Sequence, residues 1–261
     1  LSAHLESTEL PPADMCAPFV HNRADLDGYL LWDFCVDWNN PANSTLSSPA
    51  LIPAGVVLDN NVARVPQPAP APAGSELDEF SGNTMYRASA RASPPSANLP
   101  VEIVLNHVTN AGGGQAGVRW VHLALPDSDV LFDGGLETSE PLPAGEDRII
   151  DQGVFAPDGD FRWMAGVSLD QNGNIGLGYS VSSDTTFPSV RYTGREPGDA
   201  PNTMRGEQSC VVGGGVQLFV DGTGRAGRWG DYASMSIDPA DQCTFWLASE
   251  YYAVTGNATW D

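Results

Sequence analysis

The chain has 261 residues, and its 33 Asp and Glu outweigh 12 cations, all of them Arg, leaving a net charge of −21. Such a surface repels phosphate and anionic headgroups, which sets aside nucleic acid and anionic membrane as partners. No run of about 18 apolar residues occurs, so no membrane insertion is expected.

Residues 1–28 read as an irregular N-terminal segment, because "ELPPADMCAPFV" has no period. "YLLWDFCVDW" at 29–38 alternates. Trp32, Phe34, Val36 and Trp38 share one face, and Asp33, Cys35 and Asp37 share the other, as in a half-buried strand. "NNPANS" is a turn, and "ALIPAGVVL" at 50–58 is a second strand placed at an edge by Pro53. "PQPAPAPAG" at 66–74 is a stiff surface loop in polyproline geometry, with a domain linker as the alternative. From 84 onward short apolar segments follow one another: "TMYRASARA", "VEIVLNHV", "GVRWVHLAL", "DRIIDQGVF", "RWMAGVSLD", "NIGLGYSVSS", "PSVRYTGR", "QSCVVGG", "RWGDYASMSID" and "CTFWLASEYY". Turn signals separate them and no three-turn amphipathic helix intervenes, so the chain reads as all-β.

Cys16, Cys35, Cys210 and Cys243 allow three pairings. Two local bridges, Cys16–Cys35 and Cys210–Cys243, are the simplest, with four free thiols as the alternative. Two bridges, with the sequons at Asn43 and Asn257, point to a secreted or cell-surface location. The chain begins at Leu1 without a basic leader, as expected of a processed chain or a fragment. The acidic, Lys-free composition fits either a halophilic surface or GC-rich codon usage.

Two segments echo each other. "RWMAGVSLD" and "RWGDYASMSID" both run from Arg-Trp through small residues to Ser-aliphatic-Asp. A four-strand unit recurring over tens of residues is the signature of β-propeller blades. This predicts outer strands of one blade at 29–58, a blade at 84–156, a blade at 161–214 and a partial blade at 228–261. The open edge beside 243–252 is expected to be covered by strand 29–38, by another copy or by further blades. The turns "SLDQNGN" and "SIDPADQCTFW" resemble the Asp-box hairpins of sialidase-type (BNR-repeat) propellers. Asp238 lacks the following Gly, and the first copy lacks the aromatic. The stretch from about 30 to 261, above all its last hundred residues, resembles the C-terminal half of a family of secreted bacterial sialidase-like propellers. The resemblance implies the fold and says little of activity.

One Arg falls on each innermost strand: Arg87, Arg162 and Arg228. Converging guanidiniums would bind a carboxylate or sulfate in forked geometry. The alternative is that each pairs with a nearby carboxylate. Trp163 and Trp229 read as sugar platforms or as wedges between sheets. A sialidase-like site would take Tyr252 as nucleophile, Glu250 as its base and Asp231 as acid, with Glu207 a substitute carboxylate. Asp158, Asp160 and Asp170 on tight turns suggest Ca2+, the one cofactor indicated, or plain Asx-turns. His107 and His122 read as structural, and "NAGGGQAG" lacks the Lys of a phosphate loop. Two functions follow. The first is a non-catalytic module that binds glycan or surface protein, or that self-assembles. The second is an exo-sialidase-like glycoside hydrolase acting on acidic extracellular glycans.

Overall fold

The computed structural model describes residues 2–10, 16–92, 101–125, 148–218 and 227–257. Residues 93–100 and 126–147, which fall within the predicted 84–156 blade, and the last two residues of the Asn257 sequon lie outside them. Among the described residues there is no α-helix. Two 3-10 turns, at Ala24–Leu26 and Pro41–Asn43, interrupt an all-β chain.

Four sheets form in chain order. The first holds β2 (Ala17–Arg23), β3 (Gly28–Cys35), β4 (Thr45–Leu46) and β5 (Ala50–Pro53), with β3 paired to all three others. The second is the antiparallel meander β6 (Ala88–Ala92), β7 (Val101–Asn110), β8 (Ala116–Leu125) and β9 (Ile149–Phe155). A short strand β1 (Ala3–Leu5) is added in parallel outside β6. The third is the meander β10 (Phe161–Leu169), β11 (Ile175–Ser182), β12 (Ser189–Arg195) and β13 (Gln208–Val211). The fourth is a hairpin, β14 (Ser234–Ile237) with β15 (Phe245–Ala248). None of the sheets closes on itself.

The sheets stack face to face in the order in which the chain makes them. Val20, Tyr29, Leu31 and Ile52 of the first pack on Ala88, Ile103, Leu105 and Leu123 of the second. Val104, Val118 and Trp120 on the second sheet's other face pack on Ala165, Val167, Leu177 and Tyr179 of the third. The third then meets the hairpin. A Cβ on Gly166 would lie 2.5 Å from the Met235 backbone nitrogen, so β10 and β14 approach to a distance only Gly allows. The double covering explains why β8 is buried at every position and β11 likewise. Such strands read as continuous small and apolar runs instead of clean alternation.

The loop at 66–74 is stitched to the body of the protein, which favours a loop over a linker. Gln67 donates to the carbonyl of Gln217 (3.1 Å) and accepts from its N–H (2.8 Å), while Ser182 Oγ donates to the carbonyl of Pro66. Cys16 and Cys35 form a disulfide that fastens the start of the first sheet to the end of β3.

Several expectations are corrected. Residues 1–28 are not irregular throughout, since β2 occupies 17–23 with Pro18, Val20 and Asn22 inward. Its period of two is hidden in the sequence because Pro and Asn stand at inward positions. On β3 Tyr29, Leu31 and Asp33 are buried on one face, while Phe34 and, beyond the strand, Trp38 are exposed. The aromatic face is thus the outer face of the terminal sheet. β3 lies at the opposite end of the stack from β15, so it does not cover that edge. The second Arg-Trp stretch is a turn where the first is a strand. Gly230 takes φ +55° and the Ala233 N–H donates to its carbonyl, delaying β14 to Ser234.

Candidate functional site

The Arg-Trp echo meets at one end of the β10–β14 junction. Trp163 and Trp229 pack with ring centroids 6.1 Å apart, and Trp229 stacks on Tyr252 at 5.4 Å. All three rings are buried. Trp229 Nε1 donates to Ser180 Oγ at 3.0 Å, and the Tyr252 hydroxyl accepts from Gln217 Nε2 at 3.2 Å. These bonds fix an aromatic wedge. Above it the 230–233 turn and the segment after β15 enclose a cavity of about 330 Å³, lined by Arg228, Trp229, Asp231, Tyr232, Ser249 and Glu250 among others.

The chemistry of this cavity is uneven. Arg228 is 70% exposed and donates from Nη2 to Asp231 Oδ2. Asp231 Oδ1, Ser249 Oγ and Glu250 Oε1 are buried and have no hydrogen-bond partner among the described residues. Burial pushes the Glu250 carboxyl above its usual range, against the pull of a hydrogen bond from the Gly230 backbone. Tyr232 is 79% exposed and meets Tyr86 edge to face at 6.3 Å. The Arg87 guanidinium lies 5.1 Å above the Tyr86 ring. Arg87, Tyr86, Tyr232, Arg228, Asp231 and Glu250 thus form one linked series of contacts and lining groups.

The three-Arg clamp is not formed. Arg162 is fully buried and bound on both sides. Nε and Nη2 donate to Glu207 (2.8 and 3.1 Å), Nη1 and Nη2 donate to Asp158 (2.8 and 3.0 Å), and Nη1 also reaches the carbonyl of Asp160 (2.9 Å). Glu207 further accepts from Tyr179 Oη (2.7 Å) and Arg191 Nη1 (2.6 Å). Burial works against its charged form, but donors from Arg162, Tyr179 and Arg191 outweigh it, so its pKa stays below the usual range. Arg162 and Glu207 are therefore internal fasteners, as the carboxylate-pairing alternative holds.

Of the other expected site residues, Trp163 is core, and Trp229 serves as a cavity wall. Tyr252 lies outside the cavity lining, and its hydroxyl accepts from Gln217. Cys210 and Cys243 are free thiols, correcting the second bridge. Cys210 lies on β13, whereas Cys243 lies just before β15 and accepts from Gln171 Nε2 at 3.0 Å.

Asp158, Asp160 and Asp170 are each occupied by protein groups. Asp158 holds Arg162, Asp160 accepts from Thr186 Oγ1 (3.0 Å), and Asp170 Oδ1 accepts the N–H groups of Asn172 and Asn174 (2.8 Å each). No group of three His, Cys, Asp or Glu side chains suited to a metal occurs among the described residues, and the three aspartates are not brought together. Asp238 similarly caps Ala240 N–H and accepts from Trp246 Nε1 at 3.0 Å, the aromatic support expected of that hairpin.

His107 is wholly buried against Tyr29, which lowers its pKa to about 4 by desolvation, and His122 pairs with Glu102 at 2.6 Å. Sequence reasoning missed Tyr86, Tyr232 and Ser249. The "GDY" beside the second Arg-Trp is the only pointer to any of them. No protein-family model, curated protein or solved structure matches the chain.

Proposed function

We propose that the four sheets are successive blades of an extracellular, sialidase-like β-propeller, and that the cavity over Trp229 binds glycan without cleaving it. The serial stacking supports the propeller reading, because the apolar cores join each sheet to the next in chain order. The disulfide supports the oxidising compartment. One observation carries the binding reading. An exposed tyrosine pair borders a cavity whose lining residues carry buried, unpartnered polar atoms. Flat rings stack on sugar faces, and the polar atoms can take up hydroxyls that would otherwise cost desolvation.

The test is binding of the intact chain to a panel of immobilised glycans, beside Tyr232→Ala. Loss of about tenfold or more in affinity with an unchanged melting temperature supports the site. Equal binding by the variant removes it.

A second reading, hydrolysis, rests on Asp231 and Glu250 sharing the cavity while burial keeps Glu250 protonated to higher pH. Turnover of aryl glycosides that disappears in Glu250→Gln would favour it.

A further inference from the structure

The cavity over Trp229 is built from acceptors. Carboxylate oxygens only accept hydrogen bonds, and a serine hydroxyl accepts as readily as it donates. The three buried oxygens without partners among the described residues, Asp231 Oδ1, Glu250 Oε1 and Ser249 Oγ, all belong to residues lining this one space. The cation in the lining, Arg228, is already turned to Asp231 Oδ2 and is largely in solvent. The chain contains no Lys, so it holds no side-chain ammonium of its own. The wall and rim are the rings of Trp229 and Tyr232.

From this we infer that the cavity selects a saccharide carrying a protonated primary amine. An ammonium is a donor only, as the acceptor-rich lining requires, and its charge offsets the two carboxylates. It is also attracted to the face of the exposed Tyr232 ring. The inference rests on the glycan-binding reading and reverses the ligand charge that a three-Arg clamp would demand. With Arg162 spent inside the third sheet, Arg228 paired with Asp231 and Arg87 over the Tyr86 ring outside the cavity lining, an acidic sugar would meet Glu250 with no unpaired cation among the lining residues. A bare divalent ion is poorly matched, since the two carboxylates stand beside a guanidinium. The raised pKa of Glu250 agrees, because an ammonium beside it would restore its charge and release a proton on binding.

The experiment is isothermal titration of the intact chain near pH ~6, where alkyl amines are charged. The probes are a de-acetylated glucosamine oligosaccharide, its fully N-acetylated counterpart of equal length, an oligogalacturonate and a lysine-rich peptide. The de-acetylated sugar is expected to bind about tenfold tighter than the acetylated one. Glu250→Gln is expected to abolish that preference, so that the two glucosamine sugars bind alike. Ser249→Ala, a smaller change, reduces the preference in part and serves if Glu250→Gln melts early. Equal affinity for the two glucosamine sugars, or tighter binding of oligogalacturonate, overturns the amine inference and leaves the glycan reading standing. Binding of none of the sugars overturns both. Tighter binding of the lysine-rich peptide, with displacement of the sugar, transfers the site to a protein ligand and refutes the saccharide claim.

Discussion

Replacing Arg162 with Ala separates the two roles its position allows. The guanidinium is fully buried, and the substitution deletes two hydrogen bonds to Glu207, two to Asp158 and one to the Asp160 carbonyl. Asp158 is 52% exposed, so water replaces its lost partner cheaply. Glu207 is only 13% exposed, yet it keeps Arg191 and Tyr179. Breaking a buried pair by removing one partner costs about 3–5 kcal/mol, and the two remaining donors place this case at about 3 kcal/mol. In a protein of this size that lowers the melting temperature by about 10 °C. Arg162→Lys should recover little, since the forked geometry is lost. Arg228→Ala, at a 70% exposed side chain, should cost at most about 1 kcal/mol.

The effect has a pH signature. The Arg162 hydrogen bond holds the Asp158 pKa low, and the three donors hold Glu207 low against burial. Carboxylates with depressed folded pKa values contribute stability above their unfolded values, near about 4, and lose it as pH falls through the folded ones. The gap between wild type and Arg162→Ala should therefore narrow below about pH 4. Thermal unfolding followed by circular dichroism over a pH series reads both effects. An Arg162→Ala melting point within about 2 °C of wild type, or a gap that persists in acid, would refute the reasoning.

Other outcomes follow from the same geometry. Asp33 is buried and its pKa is raised to about 6 by desolvation, so the folded state binds a proton that the unfolded state releases near 4. Asp33→Asn should stabilise by about 1–2 kcal/mol at neutral pH once solvent screening is counted, and the gain should vanish below about pH 4, as denaturant midpoints at the two pH values will show. Reducing Cys16–Cys35, which closes a loop of 19 residues, should cost about 3 kcal/mol in the same assay. Gly166→Ala should cost about 1–3 kcal/mol, because its Cβ would meet the Ser234–Met235 backbone. Alkylation of the native protein should modify Cys210, which is exposed, and mass spectrometry should find no bridge to Cys243.

The sequence disclosed the strands of the second and third sheets because marked turn signals bound them, as in "NAGGGQA" between β7 and β8 and "SLDQNGN" between β10 and β11. It also disclosed which residues recur, since Trp163 and Trp229 do meet across a sheet interface. It did not tell which face of β3 is inward. A strand in a terminal sheet can turn its aromatics outward, and alternation alone is symmetric between the two faces. The clamp failed for a similar reason. Arg162 and Arg228 have the same local sequence, but the first lies within a strand covered on both faces and the second on a turn opened by Gly230. Glu207, which binds Arg162, is 45 residues away in sequence, and no local pattern announces such a pairing. Asp231 and Glu250 were visible as carboxylates near repeated motifs. Tyr232 and Ser249 were not, because a single Tyr or Ser carries no periodic signal.

The central claim, that ligand enters the cavity over Trp229, is most directly tested by the indole N–H signals of the 15N-labelled protein during titration with the tightest-binding glycan. Trp229 is in the cavity lining with its Nε1 held by Ser180, whereas Trp246, whose Nε1 is held by Asp238, is not in the lining. The account predicts that the Trp229 signal shifts with saturation while the Trp246 signal stays in place. A saturable shift of Trp246 with Trp229 unmoved would contradict it.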